Sequence, residues 1–475
     1  MWTYEYRALR ADGLALTVLL ALVAALLLGG WNAARERDAR SARAEATSEA
    51  NAAKIEKTRK DLLSLEAGGD APRPWLDPRR ASNVATRGAV PSLEVGPTDL
   101  ALFGIGAPEI SALTAVVGLG TSEPEFGGED LANPESLLSG RFDPSFVVVF
   151  LLPLAAIALA FDLVARDRAR GILPLLLATS TSPLRTFGRR YVLRWAALAL
   201  ALLCGILGGA IAFGFPWSTA GAPLLLAAWS GLALVYAAFW IAACACVATL
   251  GSNGTAQGLW LASSWVAITT AIPSIAGPWL ESGVDAPSRV ATAHVERDVG
   301  WKAWDDRGQR TSRFLMEHPE LRPPPGDDIE EWRNQLEMLS YHAGMDEARA
   351  PLRLEFERAA SERRQQASLV MWMTPAAALQ GALDELSGAG DGARLAFVRD
   401  ARRFQSEWNE FFVPRIQRGG AFTVAEADSI PRFTPAPTPT RDLLSASATS
   451  VFAIALWLVA TVAIAAGRLA RLSPV

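Results

Sequence analysis

Six uninterrupted apolar stretches constrain this chain more than any other feature of its sequence. Each is long enough to cross the hydrocarbon core of a bilayer, which is about 30 Å thick. The stretches are Gly13–Trp31, Ser145–Phe161, Tyr191–Phe215, Pro223–Leu250, Ala256–Leu280 and Leu443–Gly467. They predict an all-α membrane protein with a bundle of six transmembrane helices. The first stretch also resembles a signal peptide, but its length and the lack of a convincing cleavage site favour an uncleaved helix.

The distribution of charge predicts the orientation of these helices. The two termini, the segment between the second and third stretches and the flanking Arg194 carry a net charge of +7, whereas residues 32–143 carry −5 and residues 281–442 carry −6. Short segments rich in arginine and lysine stay on the cytoplasmic side of a membrane. We therefore expect a multi-pass protein of the cytoplasmic (inner) membrane, with both termini in the cytoplasm and the two long polar segments outside it.

The two long polar segments are predicted to form two mainly helical extracytoplasmic domains, at 32–144 and 281–442. Each is large enough for a small domain. In the first, the composition of Arg35–Leu65 favours a long helix that continues from the first span, and short strands are expected around Ala101–Val117.

In the second polar segment, one apolar stripe has helical spacing. It is formed by Phe397, Ala401, Phe404, Trp408 and Phe411. This stripe predicts a packed helical core rather than a ligand surface. The proline-rich stretch Ile430–Pro439 then leads to the last span as an extended linker.

Several kinds of chemistry are excluded by residue type and spacing. None of the four lysines follows a glycine, so the chain has no P-loop and is not expected to hydrolyse ATP. The three histidines are 24 residues apart, which matches no zinc motif. All three cysteines lie in apolar stretches, where small packing residues are expected. The chain is therefore expected to have no catalytic residues, no metal site and no cofactor of its own.

Four stretches of the sequence resemble permeases of the ABC-2 type of ABC transporters. Phe161–Ser180 resembles their loop after the second span, in which a charged run leads through a glycine to leucines. The basic segment Phe187–Tyr191 precedes the third span, and Leu250–Trp260 looks like the hairpin between spans four and five. Residues Tyr4–Arg10 look like the family's interfacial elbow helix. The resemblance covers all six spans in order.

A subgroup of that family has a large extracytoplasmic insertion before the last span. Thr374–Gln380 and Ile430–Phe433 resemble recurrent positions of this subgroup. The resemblance implies an elbow segment at 1–12, a cytoplasmic coupling loop at 162–190 and a cytoplasmic tail at 468–475. One departure is that Ala169 stands where the family usually has glutamate, so contact with the ATPase is expected to be weaker, altered or shared unequally with a second permease.

The resemblance also implies specific site residues. The predicted docking site for the ATPase subunit consists of Arg168, Arg170, Gly171, Ile172, Leu173 and Leu176. The predicted cytoplasmic hairpin consists of Ser252, Asn253 and Gly254. The structural alternative is that the arginine-rich loop only sets the topology of the spans.

The expected partners follow from the same resemblance. They are ABC ATPase subunits that bind ATP and Mg²⁺, a second identical or similar permease, membrane lipid and an extracytoplasmic protein, with no nucleic acid. The leading hypothesis is a non-catalytic subunit of an exporter, whose cargo the sequence does not identify. Two alternatives stay open: a mechanotransmitter that moves an extracytoplasmic partner without transport, and a membrane scaffold without a motor.

Overall fold

Helices make up most of the described chain. The computed structural model describes residues 12–70, 72–105, 114–127, 142–179, 182–250, 253–281, 289–319, 321, 329–436 and 438–472. The first seven helices are α1 (Gly13–Glu66), α2 (144–160), α3 (Leu163–Ala169), α4 (Leu173–Thr179), α5 (Pro183–Ala212), α6 (Ala222–Ala248) and α7 (254–281). The others are α8 (Arg289–Glu317), α9 (Ile329–Met373), α10 (Pro375–Leu386), α11 (Asp391–Arg418), α12 (Val424–Asp428) and α13 (Thr440–Ala470).

Within the described residues, six helical segments are long and apolar enough to cross a membrane. They are α1, the continuous segment Pro144–Ala169, α5, α6, Gly254–Trp279 within α7, and α13. Each contains or closely matches one of the six apolar stretches of the sequence, so the prediction of six candidate spans is confirmed at the level of length and composition. The predicted elbow at Tyr4–Arg10 and the last three residues of the predicted tail lie outside the described residues.

Helix α1 is one unbroken helix of 54 residues, about 80 Å long. Asp12 caps its first turn by accepting a hydrogen bond from the backbone N–H of Ala15 at 3.3 Å. Near its start, Leu22 and Leu26 are buried in the core of the helical bundle. Ile55 and Leu62, near its end, are buried in a second core. The predicted helix at Arg35–Leu65 is therefore confirmed, and it joins the two cores of the molecule.

The second core belongs to a unit that we call the head. The head comprises the described parts of residues 35–66, 72–97, 114–127, 297–366 and 391–433, whereas Leu100, Leu102 and Phe103 are buried in the core of the bundle. A small antiparallel sheet of order β1-β2-β3 lies within it. Its strands are β1 (Ser92–Glu94), β2 (Thr114–Val116) and β3 (Glu125–Gly127). The strands expected around Ala101–Val117 thus correspond to β2, while β1 and β3 flank that range.

Both long polar segments contribute to the core of the head. Leu93 and Ala115 from the first segment and Trp332 and Trp408 from the second are buried in the same cluster. The two segments are therefore not separate hydrophobic units, as two domains would be. The physical reason is that α11 packs against elements of both segments, among them the short helix Ala81–Asn83 of the first and α9 of the second.

Hydrogen bonds also join the two segments. The Gln405 side chain accepts from the N–H of Gly118 at 2.9 Å and donates to its carbonyl at 2.6 Å. One helical turn later, Asn409 accepts from the N–H of Gly120 at 3.0 Å and donates to the carbonyl of Thr121 at 2.7 Å. The turn after β2 is thereby fixed to α11.

The end of α9 and the whole of α10 form a helical hairpin, residues 367–386, that packs into the bundle rather than the head. Leu379 and Leu383 are fully buried in the bundle core. The Nε1 of Trp457, in the middle of α13, donates to the carbonyl of Trp372 at 3.3 Å. Trp457 lies about 21 Å along α13 from Leu443, where the apolar stretch begins. The tip of the hairpin therefore reaches deep between the candidate spans.

Candidate docking surface

The predicted docking site lies at the end of the bundle opposite the head, where the short helices α3 and α4 are joined by a tight turn. Gly171 has φ +69°, in the left-handed region that favours glycine. Its N–H donates to the carbonyl of Arg168 at 3.0 Å, and the N–H of Ile172 donates to the carbonyl of Asp167 at 3.0 Å. This pair of bonds is a Schellman motif, which ends α3 and starts α4 at a fixed angle.

Two acidic side chains neutralise part of the basic charge of this segment. Asp162 pairs with Arg166 one helical turn later at 2.8 Å. Asp167 is buried and pairs with Arg190 on α5. The guanidinium of Arg190 also lies 5.7 Å from the centre of the Phe187 ring. The Asp167–Arg190 pair therefore ties α3 to the adjoining span.

The remaining arginines of this surface have no ion pair among the described residues. Arg170, Arg185 and Arg189 are exposed and lie beyond salt-bridge distance of any described carboxylate. Arg168 is half-buried, and its Nε and Nη1 atoms have no hydrogen-bond partner in the described chain. Buried donors without acceptors are unfavourable. The surface therefore presents unpaired positive charge that a carboxylate-bearing partner would satisfy.

The apolar residues of α4 divide between two faces. Leu173 is fully buried in the bundle core, and Leu176 is partly buried against it. Ile172 is 39% exposed, and Leu175, three residues later, is 65% exposed. Leu173 is therefore not an anchor for a partner, because its side chain already packs inside this chain. Leu175, which the sequence analysis did not select, presents the largest exposed apolar side chain of α4 instead.

The turn between α6 and α7 lies beside this segment. Asn253 caps α7 by accepting a hydrogen bond from the N–H of Ala256 at 2.8 Å. A Cβ on Gly254 would lie 3.7 Å from the Cβ of Ala165 on α3. Ser252, the third predicted hairpin residue, lies outside the described residues. The structure thus brings the predicted hairpin against the predicted docking segment, a contact that sequence spacing did not indicate.

Sequence reasoning missed the distribution of residues between the two faces of α4, although a signal for it exists. Ile172 and Leu175 are three residues apart, as are Leu173 and Leu176, so each pair follows one helix face. The pattern alone does not say which face points into the protein. No cluster of three or more His, Cys, Asp or Glu side chains suited to a metal ion occurs in the described part of the chain.

Comparison with known proteins adds one match. A family model described as a domain of unknown function (DUF3526) matches residues 289–436. The match covers α8 to α12 and includes the hairpin of residues 367–386. No curated protein and no solved structure matches the chain. The chain is therefore similar over its second polar segment to a family without a stated function.

Proposed function

We propose that this chain is the membrane-spanning permease subunit of an ATP-driven ABC exporter. A separate ATPase subunit would bind and hydrolyse ATP, and a second identical or similar permease would complete the membrane part. The observation that supports this proposal is the α3–α4 segment. It combines exposed apolar side chains with unpaired arginines on a short, rigid element that is tied to the candidate spans.

The geometry suggests how force would pass into the bundle. An ATPase that binds Ile172 and Leu175 would hold the exposed face of α4. The opposite face is held by the buried Leu173, and α3 is held by the Asp167–Arg190 pair. Because α3 continues the second candidate span and Arg190 lies on the third, a displacement of the docked segment would move both spans.

The experiment uses the full-length chain with a co-purified ABC ATPase subunit. Replacing both Ile172 and Leu175 by alanine should weaken binding by about 1–3 kcal/mol for each residue and lower ATP turnover in the reconstituted complex. Ile211→Ala is the matched control, since Ile211 is 74% exposed and lies near the end of α5 that is away from α4. Unchanged binding and turnover in the correctly inserted double variant would contradict the docking role.

Orientation can be tested separately in intact cells. In a chain without native cysteines, a single cysteine at Ser361 in the head should react with a membrane-impermeant thiol reagent. A cysteine at Ser182, beside α4, should react only after the membrane is permeabilised. The reverse pattern would place the α3–α4 segment on the side where no cytoplasmic ATPase can reach it.

One observation favours mechanotransmission as a second candidate function. Helix α1 runs without a break from the bundle core into the core of the head. A continuous helix transmits tilt along its length, so movement of the bundle would reach the head. The two functions differ in one measurement: proteoliposomes of a pure mechanotransmitter would show ATP-dependent movement of the head without translocation of any cargo. Failure to co-purify any ATPase would instead favour the scaffold.

A further inference from the structure

A cavity of about 420 Å³ lies between the hairpin and two of the candidate spans, and we call it the lateral cavity. Its volume falls within the range of small-molecule sites, about 300–1,000 Å³. Helix α2 contributes Val149 and Phe150, and α7 contributes Thr269, Pro273 and Gly277. The rest of the wall comes from the hairpin and the turn before it, and includes Arg363, Gln366, Val370, Met371, Gln380 and Asp384.

The two spans that line the lateral cavity share an unusual backbone feature. Each contains one π-helical turn, Val147–Leu151 in α2 and Ala267–Ala271 in α7. A proline follows each turn after two residues, at Pro153 and Pro273. Proline has no N–H to donate to the carbonyl four residues earlier, which interrupts the regular α-helical ladder. Such π turns are frequent at functional sites.

Neighbouring side chains donate hydrogen bonds to two carbonyls of the α2 turn. The hydroxyl of Tyr236 donates to the carbonyl of Val149 at 3.2 Å. The Nε1 of Trp265 donates to the carbonyl of Phe150 at 3.1 Å. Both carbonyls belong to wall residues of the lateral cavity. The irregular backbone beside the cavity is therefore held in place by the bundle itself.

The wall of the lateral cavity changes from polar to apolar along the hairpin. Arg363 and Gln366 lie on the part of α9 nearer the head, and Val370 and Met371 follow one to two turns closer to the hairpin tip. On α10 the order is reversed, as the chain returns towards the head: Ala376 lies near the tip and Gln380 and Asp384 lie further away from it. The polar groups of both helices are thus at the same end.

The polar end holds the cation of Arg363, a buried acceptor on Gln366 and the carboxylate of Asp384. Arg363 is exposed and forms no ion pair with any described residue. The Oε1 atom of Gln366 is buried and accepts no hydrogen bond in the described chain. The nearby Gln380 is already engaged, because its Nε2 donates to Asp384 at 2.8 Å. A ligand that suits this end would carry an anionic group for Arg363 and a hydroxyl or ammonium donor for Gln366.

The depth of the lateral cavity matches one leaflet of a bilayer. Met371 accepts a hydrogen bond from Ser450, which lies about 10 Å along α13 from the start of its apolar stretch. Thr269 lies about 16 Å from the corresponding end of the stretch in α7. The apolar end is therefore at the level of acyl chains and the polar end is close to the level of headgroups.

We propose that the lateral cavity binds a phospholipid from the leaflet on the head side, with one acyl chain between α7 and the hairpin. The phosphate lies at Arg363, and a headgroup hydroxyl or ammonium group donates to Gln366. This assignment depends on the six helices spanning a membrane. It is independent of the proposed ATPase partner.

The chain offers a matched pair of glycines for the test. Gly277 lines the lateral cavity, and a Cβ there would meet no atom within 4 Å. Gly231 on α6 likewise has open space for a Cβ but does not line the cavity. Gly277→Leu should fill the site, and Gly231→Leu should leave it open.

The experiment uses the full-length chain in nanodiscs that contain phosphatidylethanolamine with a photoreactive group at the end of one acyl chain. Crosslinks mapped by mass spectrometry should concentrate on the apolar wall residues of the hairpin and α7. Gly277→Leu should reduce this labelling by about tenfold, equivalent to about 1.4 kcal/mol of binding free energy, and Gly231→Leu should not. Arg363→Gln and Gln366→Leu should each reduce it less strongly.

Two results would overturn the proposal. One is a crosslink map of the unaltered chain in which the residues of the lateral cavity are not labelled. This measurement does not depend on the folding of any variant. The other is equal labelling in the two leucine variants when both elute as the unaltered chain does in size-exclusion chromatography. Competition experiments distinguish a lipid phosphate from free phosphate. Excess unlabelled phosphatidylethanolamine should abolish the labelling. Equal competition by inorganic phosphate would show that the acyl chain is not recognised.

Discussion

The bundle and the head use the same apolar residue types in opposite ways. On α5 of the bundle, Leu202 is fully buried while Leu200 is 65% exposed. On α11 of the head, Trp408 and Phe412 are fully buried, and the neighbouring Arg403 and Glu407 are exposed and paired with other charges. A helix in lipid is apolar on every side, whereas a helix in water shows its packed face by its composition. The amphipathic pattern therefore identifies the packed face in the head but not in the bundle.

The two regions also differ in how far apart along the chain their core residues lie. Each candidate span is a single apolar segment that the sequence marks by itself. The head core joins residues of the first polar segment to residues of the second, across about 300 positions of the chain. Contacts of such sequence separation slow folding, because a long loop has to close before they form.

The largest expected effect tests whether the head has one shared core. Trp408→Ala should destabilise the head by about 3–5 kcal/mol, because a fully buried aromatic side chain is removed and a cavity is left. Pulse proteolysis of the detergent-purified full chain in increasing urea would measure it. Both polar segments should become susceptible at the same lower urea concentration. Trp301→Ala is the control, since Trp301 is 65% exposed. If only the second polar segment became susceptible to cleavage at the lower urea concentration, the two segments would have separate cores.

The next effect concerns the helix that connects the two regions. Ala46 is exposed in the middle of α1, between the bundle and the head core. Ala46→Pro removes a backbone hydrogen bond and introduces a steric clash, which together destabilise the helix by about 3 kcal/mol. Hydrogen exchange of the amides around residues 42–50 should then accelerate by roughly a hundredfold. Glu45→Ala, at a neighbouring exposed position, should leave exchange unchanged. Continued full protection in the proline variant would show that α1 is not a rigid connection.

A smaller effect isolates the hydrogen bonds that join the two polar segments. Gln405→Leu keeps the approximate size of a fully buried side chain but removes the acceptor of the Gly118 N–H and the shorter of two hydrogen bonds to the Gly118 carbonyl, which keeps only the Thr121 hydroxyl at 3.3 Å. We expect a loss of about 1–3 kcal/mol in the stability of the head, measured by the same pulse proteolysis. Gln365→Leu at an exposed position of α9 is the control. If both variants unfold at the same urea concentration as the unaltered chain, the hydrogen bonds from Gln405 to the turn after β2 do not stabilise the head.

The smallest effect is a pH dependence confined to the head. Burial lowers the pKa of His342, with Arg349 adding to this and Glu125 opposing it. Because the unfolded chain then binds a proton more tightly than the folded one, stability should fall as pH decreases through the ordinary histidine pKa of about 6.5. His342→Gln should flatten this part of the stability curve between about pH 7.5 and pH 5, and His318→Gln should preserve it. An unaltered slope in His342→Gln would assign the dependence to other groups.

Much of the architecture could be predicted because the relevant signals are local. An apolar stretch of about 20 residues is dictated by the thickness of a bilayer, so the six candidate spans are visible in the sequence alone. The long helix at Arg35–Leu65 follows from its composition. The stripe from Phe397 to Trp408 is buried as its spacing predicts, although Phe412 is buried more deeply than Phe411.

Tertiary structure alone decided the features that depend on what each surface meets. The leucines of α4 look equivalent in sequence, yet Leu173 packs inward and Leu175 points outward. Residues 367–386 are broken by Thr374 and Pro375 and are too short to span a membrane, so only packing against α13 reveals that they enter the bundle. The shared core of the head and the lateral cavity likewise arise from contacts between segments that are distant in the chain. Periodicity indicates that a helix has a face, but the partner that covers this face is fixed by the rest of the fold.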